Sequence, residues 1–358
     1  MKGPHTKGNR VASRYEILDF VGEGGMQFVY KAHDEVLDRF VALKTPKDAT
    51  AEKRFHRSAV VSSRVNHPNV AKTLDYVEEN GRPYLVEELI EGFDLSKAIL
   101  KEVDFLDPFL VAKIFHHLSK GLAASHHAGV VHRDLKPTNI MVTGKYQLTE
   151  LKITDFGIAK MAEEEIVEAA EGGDITNSTS ATAVGALPYM APEAIDTPRN
   201  VTLKADVWSL GAMMYELLTG FKPFGSGLRA VRHIVEGKYD PFPAFITSNP
   251  QFSYLSSELI SLIESCLSVD VNKRPSADQL VERCSLLCYQ VSERFVGTMK
   301  NINHGKWGFI SVPEQDDVFY HVDSMYGTKP IIGEKVMFSK YVGGGADRAL
   351  PVVRLKHL

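Results

Sequence analysis

Short apolar runs with polar positions interleaved open the chain. YEILDFV from Tyr15, FVYKAHD from Phe28 and FVALKT from Phe40 each read as a β-strand, with Gly22-Glu23-Gly24-Gly25 as a tight turn between the first two. A helix is predicted from about Ala51 to Val65, stopped by Asn66-His67-Pro68-Asn69. Strand signal returns from Val70 to Leu89. Beyond Asp107, apolar residues recur at helical spacing as Leu110, Val111, Ile114, Phe115, Leu118 and Leu122. Helical patterns broken by Pro and Gly then run to about Gln290. After Arg294 alternation resumes, with turns at Asn303–Lys306, Pro313–Asp317 and Gly343–Gly345. No internal repeat is found. A strand-rich small lobe followed by a helical large lobe predicts an α+β architecture, here with a small all-β unit after it.

Composition narrows the class. The 358 residues are 44% hydrophobic and 24% charged, as in globular proteins, and suit two domains. No apolar run approaches the roughly 18 residues of a membrane span, and the basic start MKGPHTKGNR lacks the apolar stretch of a signal peptide. No membrane partner is therefore expected. Cys266, Cys284 and Cys288 have no CxxC spacing, which points to buried thiols in a reducing, cytoplasmic setting. The net charge of −4 is uneven: from Arg294 onward nine Lys/Arg face six Asp/Glu, a basic end on an acidic body. Met161–Val184 is acidic at first and then carries Thr176, Ser178, Thr179, Ser180 and Thr182, the composition of a mobile loop.

The chemistry lies in five motifs in order: the glycine-rich turn, Val41-Ala42-Leu43-Lys44, His132-Arg133-Asp134-Leu135-Lys136-Pro137-Thr138-Asn139, Asp155-Phe156-Gly157 and Ala191-Pro192-Glu193. Together they resemble a eukaryotic-type (Hanks-type) protein kinase domain over roughly residues 12–290, with its small lobe ending near 90 and a tail at 1–11. The resemblance implies a bilobal kinase fold that uses ATP and Mg2+ on a protein substrate with a Ser/Thr hydroxyl. Phosphoryl transfer needs charge neutralisation and an aligned nucleophile. Gly22, Gly24 and Gly25 would close backbone N–H groups over the phosphates, and Lys44 would reach the α- and β-phosphates. Asp134 would accept the hydroxyl proton and Lys136 would face the γ-phosphate. Asn139 and Asp155 offer oxygen ligands suited to Mg2+. Val29 and Ala42 would sandwich adenine against Met141, with the backbones of Glu88 and Ile90 at its edge. Asp206 would brace the catalytic loop, and Arg274 would pair with Glu193. Arg133 implies control by a phosphorylated loop, for which Thr179, Ser180 and Thr182 are the candidates.

Four positions depart from the family pattern. Gln27 stands at the third glycine of the phosphate loop, and Ala186 stands where a Thr is common. Ser58 stands where the helix should carry the lysine's Glu partner, and Glu87 occupies the usually apolar or Thr gatekeeper position. Two of these cancel chemically: Glu87 projects into the same back pocket and is expected to pair with Lys44 in place of the missing carboxylate. An active enzyme is favoured over an ATP-binding pseudokinase scaffold, because base, metal ligands and lysine survive.

Residues 294–358 resemble a cold-shock domain, a five-stranded OB-type barrel, through Lys306-Trp307-Gly308-Phe309-Ile310 and Asp317-Val318-Phe319-Tyr320-His321. Period-2 alternation places Trp307 with Phe309, and Phe319 with His321. Such aromatics beside Lys300 and Lys306 imply stacking of single-stranded RNA or DNA. A rival reading makes this barrel a protein-interaction module.

Overall fold

The computed structural model describes residues 3–23, 27–47, 55–56, 59–156, 185–197, 201–290 and 292–356. The first strands form a six-stranded antiparallel sheet in the order β1-β2-β3-β4-β6-β5: β1 Arg10–Val11, β2 Tyr15–Glu23, β3 Gln27–Asp34, β4 Arg39–Pro46, β5 Thr73–Glu79 and β6 Arg82–Glu88. Alternation buries Tyr15, Ile17, Tyr30, Ala32, Val41, Leu43, Tyr84 and Val86 on one face as the small-lobe core. The segment read as a tail contributes to this lobe. Arg10–Val11 pairs with Tyr15–Glu16, and His5 Nε2 meets the Tyr84 hydroxyl at 2.8 Å.

Among the described residues the large lobe is built on three long helices: α1 Pro108–His127, α3 Leu203–Thr219 and α4 Pro250–Cys266, with the short α2 Pro192–Asp196 before α3. Helix α1 starts where it does because the Asp107 carboxylate accepts the Phe109 and Leu110 N–H groups and Pro108 needs no partner there. Its apolar stripe, Leu110, Val111, Ile114, Phe115, Leu118 and Leu122, is buried in the main core. A three-stranded sheet of β7 Phe93–Asp94, β8 Ile140–Val142 and β9 Leu151–Ile153 crosses this lobe. Its ends fix the segments that flank the cleft, Pro137–Asn139 before β8 and Thr154–Phe156 after β9.

The C-terminal strands close into a barrel: β10 Arg294–Asn303, β11 Trp307–Ser311, β12 Val318–His321, β13 Lys335–Tyr341 and β14 Arg348–Arg354, ordered β10-β11-β12-β14-β13. The long β10 closes it, pairing with β13 at its start and β11 at its end. Gly308 is required there, because a Cβ would sit 2.1 Å from the Asn301 carbonyl oxygen.

The barrel is docked on the large lobe. Tyr326, Met337, Val353 and Leu355 belong to the large-lobe core, and the Tyr326 ring packs edge-on against Phe105, Phe245 and Phe252. Arg294 Nη2 donates to Asp107 Oδ1 at 2.9 Å with both side chains buried, so the cap of α1 also holds the barrel. Gln147 donates to the Arg294 carbonyl and accepts its N–H. At the far end Lys356 N–H donates to the Glu102 carbonyl, and Arg354 pairs with Asp104 at 3.2 Å.

Candidate active site

Sheet register assembles the small-lobe half. Val29 lies opposite Lys44, Lys44 opposite Leu85, and Ala42 opposite Glu87. Opposed residues share a face, so Val29, Ala42, Lys44 and Glu87 project from the same side, with Glu87 diagonal to Lys44. The ion pair expected from the sequence is present: Lys44 Nζ lies 2.6 Å from Glu87 Oε2, both residues buried (7% and 5% exposed). Lys44 Nζ also donates to Asp155 Oδ1 at 2.8 Å. Burial works against the Lys44 ammonium, but the Asp155 and Glu87 carboxylates outweigh it and raise its pKa. Burial raises the Glu87 carboxyl, with Lys44 opposing. It would raise Asp155 too, but Lys44 and a bond from Gln27 outweigh it and hold Asp155 down. Ser58, Gly24, Gly25 and Gly157 lie outside the described residues.

Glu88 gives its N–H to the Lys72 carbonyl, and its carboxylate binds Lys152 through both oxygens at 2.8 and 2.9 Å. The Ile90 carbonyl accepts the Gly92 N–H, closing the turn after β6. Met141 sits half-buried on β8 opposite Asp94. The sequence carries no local signal for the Lys152 anchor, which only the fold brings to Glu88.

The loop that begins at His132 hangs from a buried carboxylate on α3. Asp206 Oδ2 accepts the His132 N–H at 2.8 Å and lies 3.0 Å from His126 Nε2, while Oδ1 accepts the Arg133 N–H at 2.7 Å. His132 Nδ1 accepts the Asp134 N–H and Nε2 lies 2.8 Å from the Thr154 carbonyl, which assigns the proton to Nε2. Its ring packs on Phe156 with centroids 4.6 Å apart. Arg133 and Asp155 hold positive φ of 69° and 60°, strained conformations kept by these bonds. The Asp134 carboxylate is fully engaged: Lys136 Nζ reaches both of its oxygens (2.9 and 2.7 Å), and Asn139 Nδ2 donates to Oδ2 at 2.9 Å and to the Asp134 carbonyl at 2.8 Å. Ala186 is buried without a hydroxyl to offer, and Asp134 and Lys136 bind each other directly. Arg274 pairs with Glu193 in a two-pronged bond of 2.5 and 2.8 Å. The candidates Thr179, Ser180 and Thr182 lie outside the described residues.

A protein kinase domain model matches residues 15–284. The chain belongs to the protein kinase family. A probable serine/threonine-protein kinase of Clostridium perfringens is 35% identical over 283 residues, 76% of this chain and 38% of that protein. Serine/threonine-protein kinase PrkC of Bacillus subtilis is 36% identical over 222 residues, 61% of this chain and 32% of that one. The chain thus spans about a third to two fifths of the length of these relatives. The crystal structure of Rad53 1-466 in complex with AMP-PNP is similar to this chain with a TM-score of 0.58 at 26% identity, covering 75% of this chain and 64% of that one.

Kinases of this family use ATP with Mg2+. The donor set fits both. Asn139 uses its Nδ2 on Asp134, which leaves a carboxamide oxygen for a hard cation, and Asp155 supplies carboxylate oxygens beside the Lys44 ammonium. Among the described residues no three His, Cys, Asp or Glu side chains cluster as a self-contained metal site. No described helix is long and apolar enough to cross a membrane.

On the barrel, Trp307 lies opposite His321 and Phe309 opposite Phe319, so the four share a face. Trp307 and Phe319 stack at 6.0 Å with planes 29° apart, and Phe309 stands edge-on to both. Lys300 is paired with Asp317, and Lys306 is exposed at the β10–β11 turn.

Proposed function

We propose that this chain is an active serine/threonine protein kinase. The observation that carries it is the joint assembly of Asp134, Lys136 and Asn139 in one loop with Lys44 and Asp155 across the cleft. Mg2+ and the nucleotide supply the electrophilic phosphoryl group when bound. Asp134 then accepts the proton of the substrate Ser/Thr hydroxyl, while Lys136 and Lys44 offset negative charge at the phosphates. The Glu88 carbonyl and Ile90 N–H offer an acceptor and a donor for the adenine edge. Autophosphorylation falls on Thr179, Ser180 or Thr182, with Arg133 beside the base to receive the phosphate. The test is incubation with Mg-ATP and a generic protein substrate beside Asp134→Asn, followed by phosphopeptide mapping. Equal incorporation by both proteins, or none by either, overturns the proposal.

A second activity is supported by the aromatic face of the barrel. Trp307, Phe309, Phe319 and His321 on neighbouring strands, with Lys300 and Lys306 at their edge, are a stacking platform for single-stranded RNA or DNA, as the cold-shock resemblance implies. Trp307→Ala with Phe319→Ala in the full chain weakens binding by about 1–3 kcal/mol per lost stack and leaves most of the salt dependence in place. Wild-type affinity in the double variant refutes the site.

A further inference from the structure

Gln27 stands where the phosphate loop of the family has a glycine, and its side chain is buried at 6% exposure rather than turned to solvent. It starts β3 opposite Pro46, two residues along from Lys44. From there Gln27 Nε2 donates to Asp155 Oδ1 at 2.9 Å, the same oxygen that accepts Lys44 Nζ at 2.8 Å. A carboxylate oxygen offers two lone-pair directions, and these two donors take both. Mg2+ needs near-ideal octahedral contacts at about 2.0–2.1 Å and does not share such an oxygen with two donors. For Asp155 to offer Mg2+ both of its oxygens, one of the two donors must leave. Lys44 is tied to Glu87 at 2.6 Å and is held to Asp155 by charge, whereas Gln27 brings a neutral amide. The weaker and exchangeable partner is Gln27.

We propose that Gln27 sets the metal requirement of this kinase: its amide competes with Mg2+ for Asp155 Oδ1 and must be displaced before Asp155 can hold the metal through both oxygens. The proposal rests on the kinase reading above. It predicts a penalty on Mg-nucleotide that is absent for the metal-free nucleotide, since only the metal needs the oxygen that Gln27 holds. Gln27 acts through Asp155 and is a positioning residue.

The test is calorimetric titration of ADP into the full chain with Mg2+ and, separately, with EDTA, for wild type, Gln27→Met and Gln27→Gly. Methionine keeps the length and fills the space without a donor, and glycine supplies the family's residue. Both variants are expected to bind Mg-ADP about tenfold more tightly than wild type, the scale of a lost hydrogen bond to a charged group, with the EDTA affinity changed less than twofold. Apparent Mg2+ affinity at saturating ADP rises by the same factor. If Gln27→Met behaves like wild type, Gln27 only packs and the proposal falls. An equal gain with EDTA also overturns it, because the effect is then on the nucleotide and not on the metal. Absence of any ADP binding in all three proteins overturns the kinase reading itself.

Discussion

Replacing Glu87 by methionine removes one of the two carboxylates that hold Lys44. Breaking a buried ion pair by deleting one partner costs about 3–5 kcal/mol when the remaining charge is left alone. Here it is not left alone, because Asp155 Oδ1 stays at 2.8 Å from the ammonium. Roughly half the penalty remains, about 2 kcal/mol; an equal loss of charge stabilisation at the transition state would lower kcat/KM for ATP about 30-fold. Most of it is expected in kcat, since a misaimed Lys44 weakens contacts that strengthen as charge develops on the phosphoryl oxygens. Steady-state kinetics with varied ATP and saturating protein substrate measures both constants. Glu87→Gln, which keeps a hydrogen-bond acceptor without the charge, is expected to lose less. Ser58→Glu added to Glu87→Met places a carboxylate at the position the family uses and is expected to recover part of the activity. Unchanged ATP turnover in Glu87→Met refutes the exchange of partners.

Arg294→Ala strips the buried Asp107 of its barrel partner and is expected to cost about 2–3 kcal/mol, read as a lower Tm by scanning calorimetry; a Tm equal to wild type refutes a structural dock. Arg14 grips Asp34 with two bonds of 2.7 Å and lowers its pKa to about 2. A carboxyl held below its unfolded value stabilises above that value and loses its contribution as pH falls, so Asp34→Asn costs about 1–2 kcal/mol in urea unfolding at neutral pH, and the gap closes towards about pH 2. A gap that persists at low pH refutes the linkage. Burial pushes the Cys266 and Cys284 thiols up to about 12, whereas Cys288 is exposed. Iodoacetamide at mild pH is expected to label Cys288 alone until the chain is denatured, as peptide mapping would show; early labelling of Cys266 contradicts the packing.

Elements with a long enough repeat were legible without the structure. Six apolar positions from Leu110 to Leu122 mark a helix face, and Asp107-Pro108 marks its start. Strands of two or three residues, such as Phe93–Asp94 or Ile140–Val142, are too short for an alternation to show, although they carry the segments that flank the cleft. The Lys44–Glu87 pair could be read because the kinase resemblance puts the gatekeeper position and the phosphate lysine in one back pocket. Contacts between distant segments could not. Gln27 meets Asp155 across 128 positions and Arg294 meets Asp107 across 187, and no local pattern encodes either meeting. The barrel dock is hidden for a related reason. Tyr326, Met337, Val353 and Leu355 look like ordinary apolar residues of a small β unit, and alternation does not say which body covers them.

That dock changes what the barrel can be in solution. A module on a free tether samples many bearings, and its ligand meets the rest of the chain at a concentration averaged over the tether's reach. Here Arg294 is clamped by Asp107 and Gln147 at one end, and Lys356 is held at Glu102 at the other. Kinase and barrel are therefore expected to tumble as one particle, and a single strand bound as proposed along Trp307 and Phe319 would leave at one angle relative to the kinase cleft. For a substrate carried on such a strand, the local concentration would no longer be an average. It would become a function of spacing, high at the separations the fixed angle permits and near zero at the others.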